Sequence, residues 1–315
     1  MKKLFTILFV LLCMFSLSAC KKTETVTNEE PKTDAWVYEG VKYAEMYENL
    51  GKAEIDLSNA EGKLQEILTK GELVIATSPD YPPSEFVDMT SGEIMGSDIL
   101  LAKYIANSLG VSLKVEAMDF SAVLTSVDTG KCDLAISGLG YKADRAEVFE
   151  LSHGYQSSSA AAHHTILVKS EDVDKYNSLA DFKGKTIDAQ ANSLQQMYCE
   201  DQLPEATLQL VATLEVAILD LQSGKVDAIA LDATSAKNYA ETSNGKFVSL
   251  YNEKNIEFDL SAYADEAGNV VAAKKGETAL IEAVNAVIDE LMANNKYTDM
   301  YYAACDAAGV SPSEA

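Results

Sequence analysis

The feature that most constrains the fold is the alternation of short strand-like runs with amphipathic helical segments that begins at Gly71. The run 73–76, Leu-Val-Ile-Ala, precedes a helix predicted over residues 98–109. The alternating apolar residues of 111–115 and a helix predicted over 121–128 come next. Strands that alternate with helices form βαβ units, whose strands are mostly parallel and lie in one sheet. The sequence therefore predicts an α/β fold.

A weak internal repeat indicates that this α/β unit occurs twice. Residues 70–76, KGELVIA, resemble residues 183–189, KGKTIDA, and residues 129–136, TGKCDLAI, resemble residues 223–230, SGKVDAIA. Open α/β sheets bind ligands beyond the carboxyl ends of their strands, so two such lobes that face each other enclose a cleft. The alternative is a chance similarity, since turn-strand units recur in many proteins.

The N-terminus resembles the export signal of a lipoprotein. Two lysines precede an apolar run over 4–17 that is shorter than the roughly 20 residues needed to span a bilayer. Leu-Ser-Ala-Cys at 17–20 is similar to a lipobox, so we expect residues 1–19 to be removed as a signal peptide and Cys20 to carry diacylglycerol. The alternative is an ordinary signal peptide with an incidental cysteine. We expect a lipid-anchored protein on the extracellular face of the membrane, or in the periplasm of a two-membrane envelope.

Composition divides the rest of the chain. Residues 20–34 carry almost no apolar side chains, which predicts a flexible tether after the lipidated cysteine. Residues 35–70 form a predicted helical preamble, with a capping box of Ser58 and Glu61. Its aromatic and apolar residues recur at helical spacing: Trp36, Tyr43, Tyr47 and Leu50. We expect lobe 1 over residues 71–159 and 265–315 and lobe 2 over residues 160–264.

Charge, cysteine and histidine patterns exclude several classes of function. The net charge is −24 and the isoelectric point about 4.4, which argues against nucleic acid as a partner. Besides the lipidated Cys20, three cysteines remain after export, an odd number without paired spacing, and a bridge between Cys199 and Cys305 stays open. His163 and His164 are adjacent, so on a strand they point to opposite faces and one metal rarely takes both. We expect no metal and no cofactor.

Candidate ligand-binding residues of the first half follow predicted strand ends. Tyr81 lies in a Tyr-Pro-Pro loop whose prolines stiffen the backbone, and Phe120 follows another strand, so the two rings are placed to enclose a small molecule. Small residues end a third strand and leave backbone N–H groups approachable: Ser137, Gly138 and Gly140. Arg145 comes shortly after and suits a carboxylate. The alternatives are ordinary core aromatics and a solvated surface arginine.

The second half contributes a helix start and a carboxylate. Asn192 and Ser193 open a predicted helix, where unsatisfied N–H donors suit an anion. Asp232 ends the strand predicted over 228–231, where its carboxylate complements an ammonium group. The alternative is that Asp232 is the N-cap of the helix predicted over 233–241.

The order of these motifs resembles that of the amino-acid-binding proteins of ABC importers, in the polar amino-acid class. The motifs are Tyr-Pro-Pro, Gly-x-Asp, Met-Asp-Phe, Ser-Gly-x6-Arg, Lys-Gly-Lys, Ser-Leu-Gln, Gly-Lys-Val-Asp-Ala and Lys-Lys-Gly-Glu-Thr, over residues 71–301. The resemblance implies a two-lobed periplasmic-binding-protein type II fold with a hinge of two crossing segments. It also implies capture of a free amino acid and its delivery to an importer permease in the membrane. We expect a monomer.

The resemblance assigns roles within the cleft. Arg145 grips the ligand's α-carboxylate, assisted by backbone donors at Gly138 and near Ser193. Asp232 holds the α-amino group, and the two aromatic rings flank the side chain. Ser78 replaces an Asp of some members that bind basic or amide side chains, which argues against such ligands without naming another.

Two other functions remain open on the same scaffold. A dehydratase or lyase, as in cyclohexadienyl dehydratases, needs a general acid such as Asp80 or Glu85, and neither has an identifiable partner in the sequence. A ligand sensor for a membrane receptor differs in its partner rather than in its site. Turnover of prephenate-like acids distinguishes the enzyme, and a neighbouring importer permease gene favours transport.

Overall fold

Two five-stranded sheets form the framework of the two lobes, and the predicted α/β fold is confirmed. The computed structural model describes residues 40–156, 163–263 and 268–312, all within one compact unit spanning 38–315. The predicted signal peptide, the lipidated cysteine and the tether lie outside these residues. No helix in the described ranges is long and apolar enough to cross a membrane.

The described strands and helices alternate along the chain. The strands are β1 (Glu72–Thr77), β2 (Asp80–Tyr81), β3 (Glu85–Val87), β4 (Ile94–Met95), β5 (Ser112–Ala117), β6 (Leu134–Ala135), β7 (Phe149–Leu151), β8 (His164–Lys169), β9 (Thr186–Gln190), β10 (Thr207–Val211), β11 (Ala228–Asp232), β12 (Phe247–Ser249) and β13 (Ala272–Lys274). The helices are α1 (Tyr43–Glu48), α2 (Gly62–Lys70), α3 (Ser97–Leu109), α4 (Phe120–Asp128), α5 (Ala143–Val148), α6 (Leu194–Gln202), α7 (Leu214–Ser223), α8 (Ala233–Thr242), α9 (Leu250–Lys254), α10 (Thr278–Ala293) and α11 (Lys296–Ala308).

The sheet of lobe 1 has the order β5-β1-β6-β13-β7. β1 runs parallel to β5 and β6, whereas β13 runs antiparallel to β6 and β7. Leu73 and Ile75 enter one core cluster, and Val74 and Ala76 enter another. Because successive side chains of a strand point to opposite faces, both faces of this sheet are covered.

The sheet of lobe 2 repeats that arrangement with the order β10-β9-β11-β8-β12. β9 runs parallel to β10 and β11, and β8 runs antiparallel to β11 and β12. Each strand therefore has a counterpart of the same direction in lobe 1. The chain returns to lobe 1 as β13, and the lobe boundaries predicted at 159–160 and 264–265 lie outside the described residues. The predicted lobe boundaries stay predictions.

The two copies of the sequence repeat lie on equivalent strands of the two lobes. The residues that are equivalent in the structure differ by one position from those that the sequence alignment had matched. Ile75 pairs with Leu134 in lobe 1, and Ile187 pairs with Ala228 in lobe 2, which makes the two isoleucines equivalent. The sequence alignment had matched Val74 with Ile187 instead. Gly184 precedes Ile187 by three positions whereas Gly71 precedes Ile75 by four, and side-chain patterns alone do not reveal that difference.

The helical preamble packs on lobe 1, and its predicted capping box is wrong. Helix α2 begins at Gly62 after Glu61, which makes no side-chain cap, while the Ser58 N–H donates to Asp56. Tyr43 and residues of α2 belong to the core cluster of lobe 1. The spacing of the apolar residues predicted a helix that reaches Leu50, but helix α1 ends at Glu48.

The sequence left open whether Cys199 and Cys305 form a disulfide, and in the structure they do not. Cys132, Cys199 and Cys305 are free and buried. Cys199 lies in a core cluster of lobe 2 and Cys305 in a core cluster of lobe 1, so the bridge between them is excluded. Burial raises the pKa of each of these two thiols to about 12.

Candidate functional site: a cleft between the lobes

A cavity of about 330 Å³ is lined by residues of both lobes. That volume lies within the range of about 300–1,000 Å³ that is usual for small-molecule sites. Eight of the nine predicted ligand-binding residues line it: Tyr81, Phe120, Ser137, Gly138, Gly140, Arg145, Ser193 and Asp232. The ninth, Asn192, is at its edge, where its backbone carbonyl accepts a hydrogen bond from Arg145.

Arg145 is the only arginine in the 315-residue sequence, and it is buried in the cleft with 5% of its surface exposed. Its Nη1 donates to the Gly140 carbonyl, and its Nη2 donates to the Asn192 carbonyl at 2.6 Å. Gly140 belongs to lobe 1 and Asn192 to lobe 2. The guanidinium therefore bridges the lobes, and the alternative of a solvated surface arginine is excluded.

Asp232 is the N-cap that the alternative interpretation expected, and it also lines the cavity. Its Oδ1 accepts from the Ser235 N–H at 2.9 Å, so it is the N-cap of α8. Its Oδ2 is buried and has no hydrogen-bond partner among the described residues. His164 pairs with Asp232 across β8 and β11, and burial lowers the pKa of its imidazole to about 4. A neutral histidine does not compensate the carboxylate, which leaves a buried anionic oxygen beside the cavity.

The Gly138 N–H is not directed at the cleft, contrary to the expectation. It donates to Asp98 Oδ2 at 2.7 Å, and the Tyr155 hydroxyl donates to the same oxygen at 2.9 Å. The Ser137 hydroxyl donates to Glu85 Oε1 at 3.1 Å. One backbone donor and one side-chain donor of this strand end thus bond to two acidic side chains instead of facing the cavity.

Glu85 and Asp98 form a buried carboxyl pair in lobe 1. Burial, and next the nearby carboxylate of Asp98, raise the pKa of Glu85 well above its usual range. Burial raises the pKa of Asp98 to about 6. Glu85 Oε2 and Asp98 Oδ1 have no hydrogen-bond partner in the described part of the chain. Two close, buried carboxyl groups do not both ionise, so the pair carries at most one negative charge at neutral pH. Glu85 lines the cavity and gives it a second acidic group.

The two predicted aromatic residues differ in their surroundings. Tyr81 comes from lobe 1, but its ring packs against an apolar cluster of lobe 2. Burial and the Asp232 carboxylate raise the pKa of the Tyr81 hydroxyl well above its usual value, so it stays protonated. Phe120 is 8% exposed and also belongs to a core cluster of lobe 1, as the alternative interpretation expected.

The helix start at Ser193 uses its donors within the loop. The Ser193 hydroxyl accepts from the Gln196 N–H at 3.1 Å, and the Asn192 N–H donates to Gln196 Oε1 at 2.7 Å. A methyl group on Gly140 would lie 2.5 Å from Leu194 Cδ1, so the missing side chain permits the close approach of the two lobes.

Sequence reasoning missed the partners of two cleft carboxyl groups. Asp80 bonds to Gln190 and Leu214 in lobe 2, and Glu85 bonds to Ser137. Both had been considered only as acids without partners. Two features of the sequence could have indicated that these acids belong to the site. Both lie beside the Tyr-Pro-Pro loop, and the chain has a single arginine. No group of three or more His, Cys, Asp or Glu side chains suited to a metal occurs in the ranges that the structure describes.

The two-lobed architecture with a ligand-sized cleft defines the class of type II periplasmic binding proteins, as predicted. The family model for bacterial extracellular solute-binding proteins, family 3, matches residues 73–303. The chain belongs to this family.

Comparison with characterised members supports the same class. The chain is 27% identical over 235 residues to the arginine-binding extracellular protein ArtP of Bacillus subtilis, covering 72% of this chain and 83% of that protein. The match to the L-cystine-binding protein TcyJ of Escherichia coli is 24% over 235 residues, with 73% and 81% covered. These relatives are named as binding proteins, and the chain is accordingly a binding protein rather than an enzyme.

Solved structures give the same result. An amino acid ABC transporter substrate-binding protein from Streptococcus pneumoniae, bound to L-arginine, has a TM-score of 0.70 and 33% identity, covering 80% of this chain and all of that one. An ancestral amino-acid-binding protein described as a precursor of cyclohexadienyl dehydratase has a TM-score of 0.66 and 26% identity, with 76% and 98% covered.

Proposed function

We propose that this protein captures a free α-amino acid with a cationic side chain between its lobes and delivers it to an ABC importer. The observation that carries the proposal is the pair formed by Arg145 of lobe 1 and Asp232 of lobe 2, which line one cavity. An α-amino acid carries one carboxylate and one ammonium group. The two side chains complement these charges.

The chemistry of each group supports its role. The guanidinium is planar and always charged, and its donors match the two oxygens of a carboxylate. The buried Asp232 Oδ2 lacks a hydrogen bond within the described chain, and a buried charge is costly unless it is paired. An ammonium group would supply that pairing.

The cationic side chain is inferred from lobe 1 and from the relatives. Glu85 lines the cavity with Asp98 behind it, and neither has an ion-pair partner among the described residues. ArtP and the pneumococcal protein are described as binding arginine. The absence of a carboxylate at Ser78 had argued against a basic ligand, but Glu85 provides an acidic group in the same cavity.

The anchor and the membrane partner complete the proposal. The apolar run and Cys20 support a lipid anchor, and the polar tether would hold the two lobes near the membrane surface. Closure of two lobes around a ligand gives an importer permease a conformation to recognise. We propose that the protein acts as a monomer.

A calorimetric titration of the free amino acids against a chain that starts at Lys21 tests the proposal. We expect arginine or lysine to bind most tightly. We expect Arg145→Ala and Asp232→Ala each to weaken binding at least 100-fold, because removal of one partner leaves a buried charge unpaired. Asp144→Ala removes a solvent-exposed carboxylate of lobe 1 and serves as the matched control. Unchanged affinity in either of these two variants contradicts the proposal that Arg145 and Asp232 bind the ligand.

A further inference from the structure

Asp80 is a lobe 1 residue whose carboxylate is bonded mainly to lobe 2. Its Oδ2 accepts from the Gln190 side-chain amide at 2.9 Å and from the Leu214 backbone N–H at 2.9 Å. Its Oδ1 accepts from the Ser78 hydroxyl within lobe 1 at 3.0 Å. Only 6% of its surface is exposed. Both oxygens are thus used, one for each lobe.

One of the two lobe 2 donors, the Leu214 N–H, belongs to a helix start that lacks its own side-chain cap. Leu214 is the first residue of α7, and its N-cap, Thr213, makes no side-chain hydrogen bond. The first N–H groups of a helix have no partner inside the helix, and the helix dipole favours a negative charge at this end. Asp80 therefore acts as the cap of α7 from the opposite lobe.

The bonds to Asp80 also orient a residue of the cleft. The Gln190 amide nitrogen donates to Asp80 and, at 3.2 Å, to the Ala212 carbonyl. Gln190 lines the cavity beside the proposed ligand groups. Burial raises the pKa of Asp80 to about 6, so the carboxylate is ionised at neutral pH and its hydrogen bonds are charge-assisted.

We propose that Asp80 is a positioning residue that latches the two lobes in the closed arrangement by capping α7 and holding Gln190. This latch is separate from the hydrogen bonds that Arg145 makes to both lobes, because Arg145 is proposed to bind the ligand. It acts on closure itself, so its effect does not depend on which solute the cleft binds.

The distance between the lobes in the absence of ligand tests the latch. Spin labels on Asp128→Cys of lobe 1 and Asn252→Cys of lobe 2 report that distance by pulsed electron resonance, since both positions are exposed and the native cysteines are buried. We compare Asp80→Ala, Asp80→Asn and the control Asp144→Ala in the chain starting at Lys21. Circular dichroism verifies that each variant is folded.

We expect Asp80→Ala to shift the ligand-free distance distribution towards open lobes, whereas Asp144→Ala leaves it unchanged. Asp80→Asn keeps one acceptor oxygen and should restore most of the closed population. With arginine as the probe, Asp80→Ala should raise the dissociation constant about tenfold, mainly through faster dissociation.

An unchanged distance distribution in Asp80→Ala overturns the proposal. So does a weaker affinity with an unchanged distribution, because it would make Asp80 a direct ligand contact. Failure of arginine to bind any variant would contradict the proposed function but leave the distance test of the latch intact.

Discussion

Arg145 and Glu85 illustrate how single residues determine the site. The chain uses lysine everywhere except at Arg145, and places that guanidinium 5% exposed between two backbone carbonyls. The Glu85–Asp98 carboxyl pair contributes a negative charge beside the Tyr-Pro-Pro loop, and the Ser137 hydroxyl donates to Glu85. The cavity thus has separate cationic and acidic ends.

Glu85→Gln tests the acidic end. Glutamine keeps the size of the side chain but cannot ionise when a cation approaches the Glu85–Asp98 pair, so we expect arginine to bind at least tenfold more weakly while citrulline, its neutral analogue, changes little. Isothermal titration of both ligands measures the difference. Asp144→Ala is again the control. An equal loss for arginine and citrulline would contradict a charge-specific role for Glu85.

The sequence located the site residues better than their partners. Strand ends and small residues placed Arg145 and Asp232 correctly at one cavity, because the alternation of elements determines which loops share a sheet edge. The Gly138 N–H was misassigned because its acceptor, Asp98, lies 40 residues away in the sequence. Local patterns do not encode such tertiary hydrogen bonds.

At the scale of elements, the N-terminal segment 40–70, called the strap below, packs into the core of lobe 1. The Tyr43 hydroxyl donates to the Gly96 carbonyl at 3.1 Å and accepts from the Gly96 N–H at 2.9 Å. Gly96 has φ of 137° and precedes α3, and a Cβ there would lie 2.1 Å from the Ser84 carbonyl oxygen. Tyr43 therefore satisfies the backbone at a position that only glycine fits.

Tyr43→Phe tests the strap. The substitution leaves the buried Gly96 N–H without its partner, while the Gly96 carbonyl keeps its hydrogen bond from the Leu100 N–H. We therefore expect the free energy of unfolding to fall by about 1–3 kcal/mol. Urea denaturation followed by circular dichroism measures it. Tyr47→Phe, on the same helix and only partly buried, should change stability by less than about 0.5 kcal/mol. Equal stability of Tyr43→Phe and the parent protein would show that the strap does not depend on this contact.

The sequence predicted most elements of the lobes but not this strap. Helix α3 was expected over 98–109 and is observed from Ser97 to Leu109, ended by Gly110 in the left-handed conformation. Hydrophobic periodicity and glycine stops are local signals, so such elements are predictable. The packing of 40–70 on lobe 1 depends on distant contacts, and no local pattern indicated it.

At the scale of the whole molecule, two sheets of the same strand order enclose a cleft whose charged groups come from both lobes. Arg145 and Asp80 each bond across the cleft, one as donor and the other as acceptor. Binding of a zwitterion between Arg145 and Asp232 would add a further bridge. Under the proposed function, recognition and closure would be coupled through the same surfaces.

Isothermal titration with arginine and two truncated analogues tests this central claim most directly. Agmatine lacks the α-carboxylate that Arg145 is proposed to bind, and 5-guanidinopentanoic acid lacks the α-amino group that Asp232 is proposed to bind. We predict that arginine binds and that each analogue binds at least 100-fold more weakly, because each leaves one buried charge unpaired. Binding of either analogue as tightly as arginine would contradict recognition of an α-amino acid by these two residues.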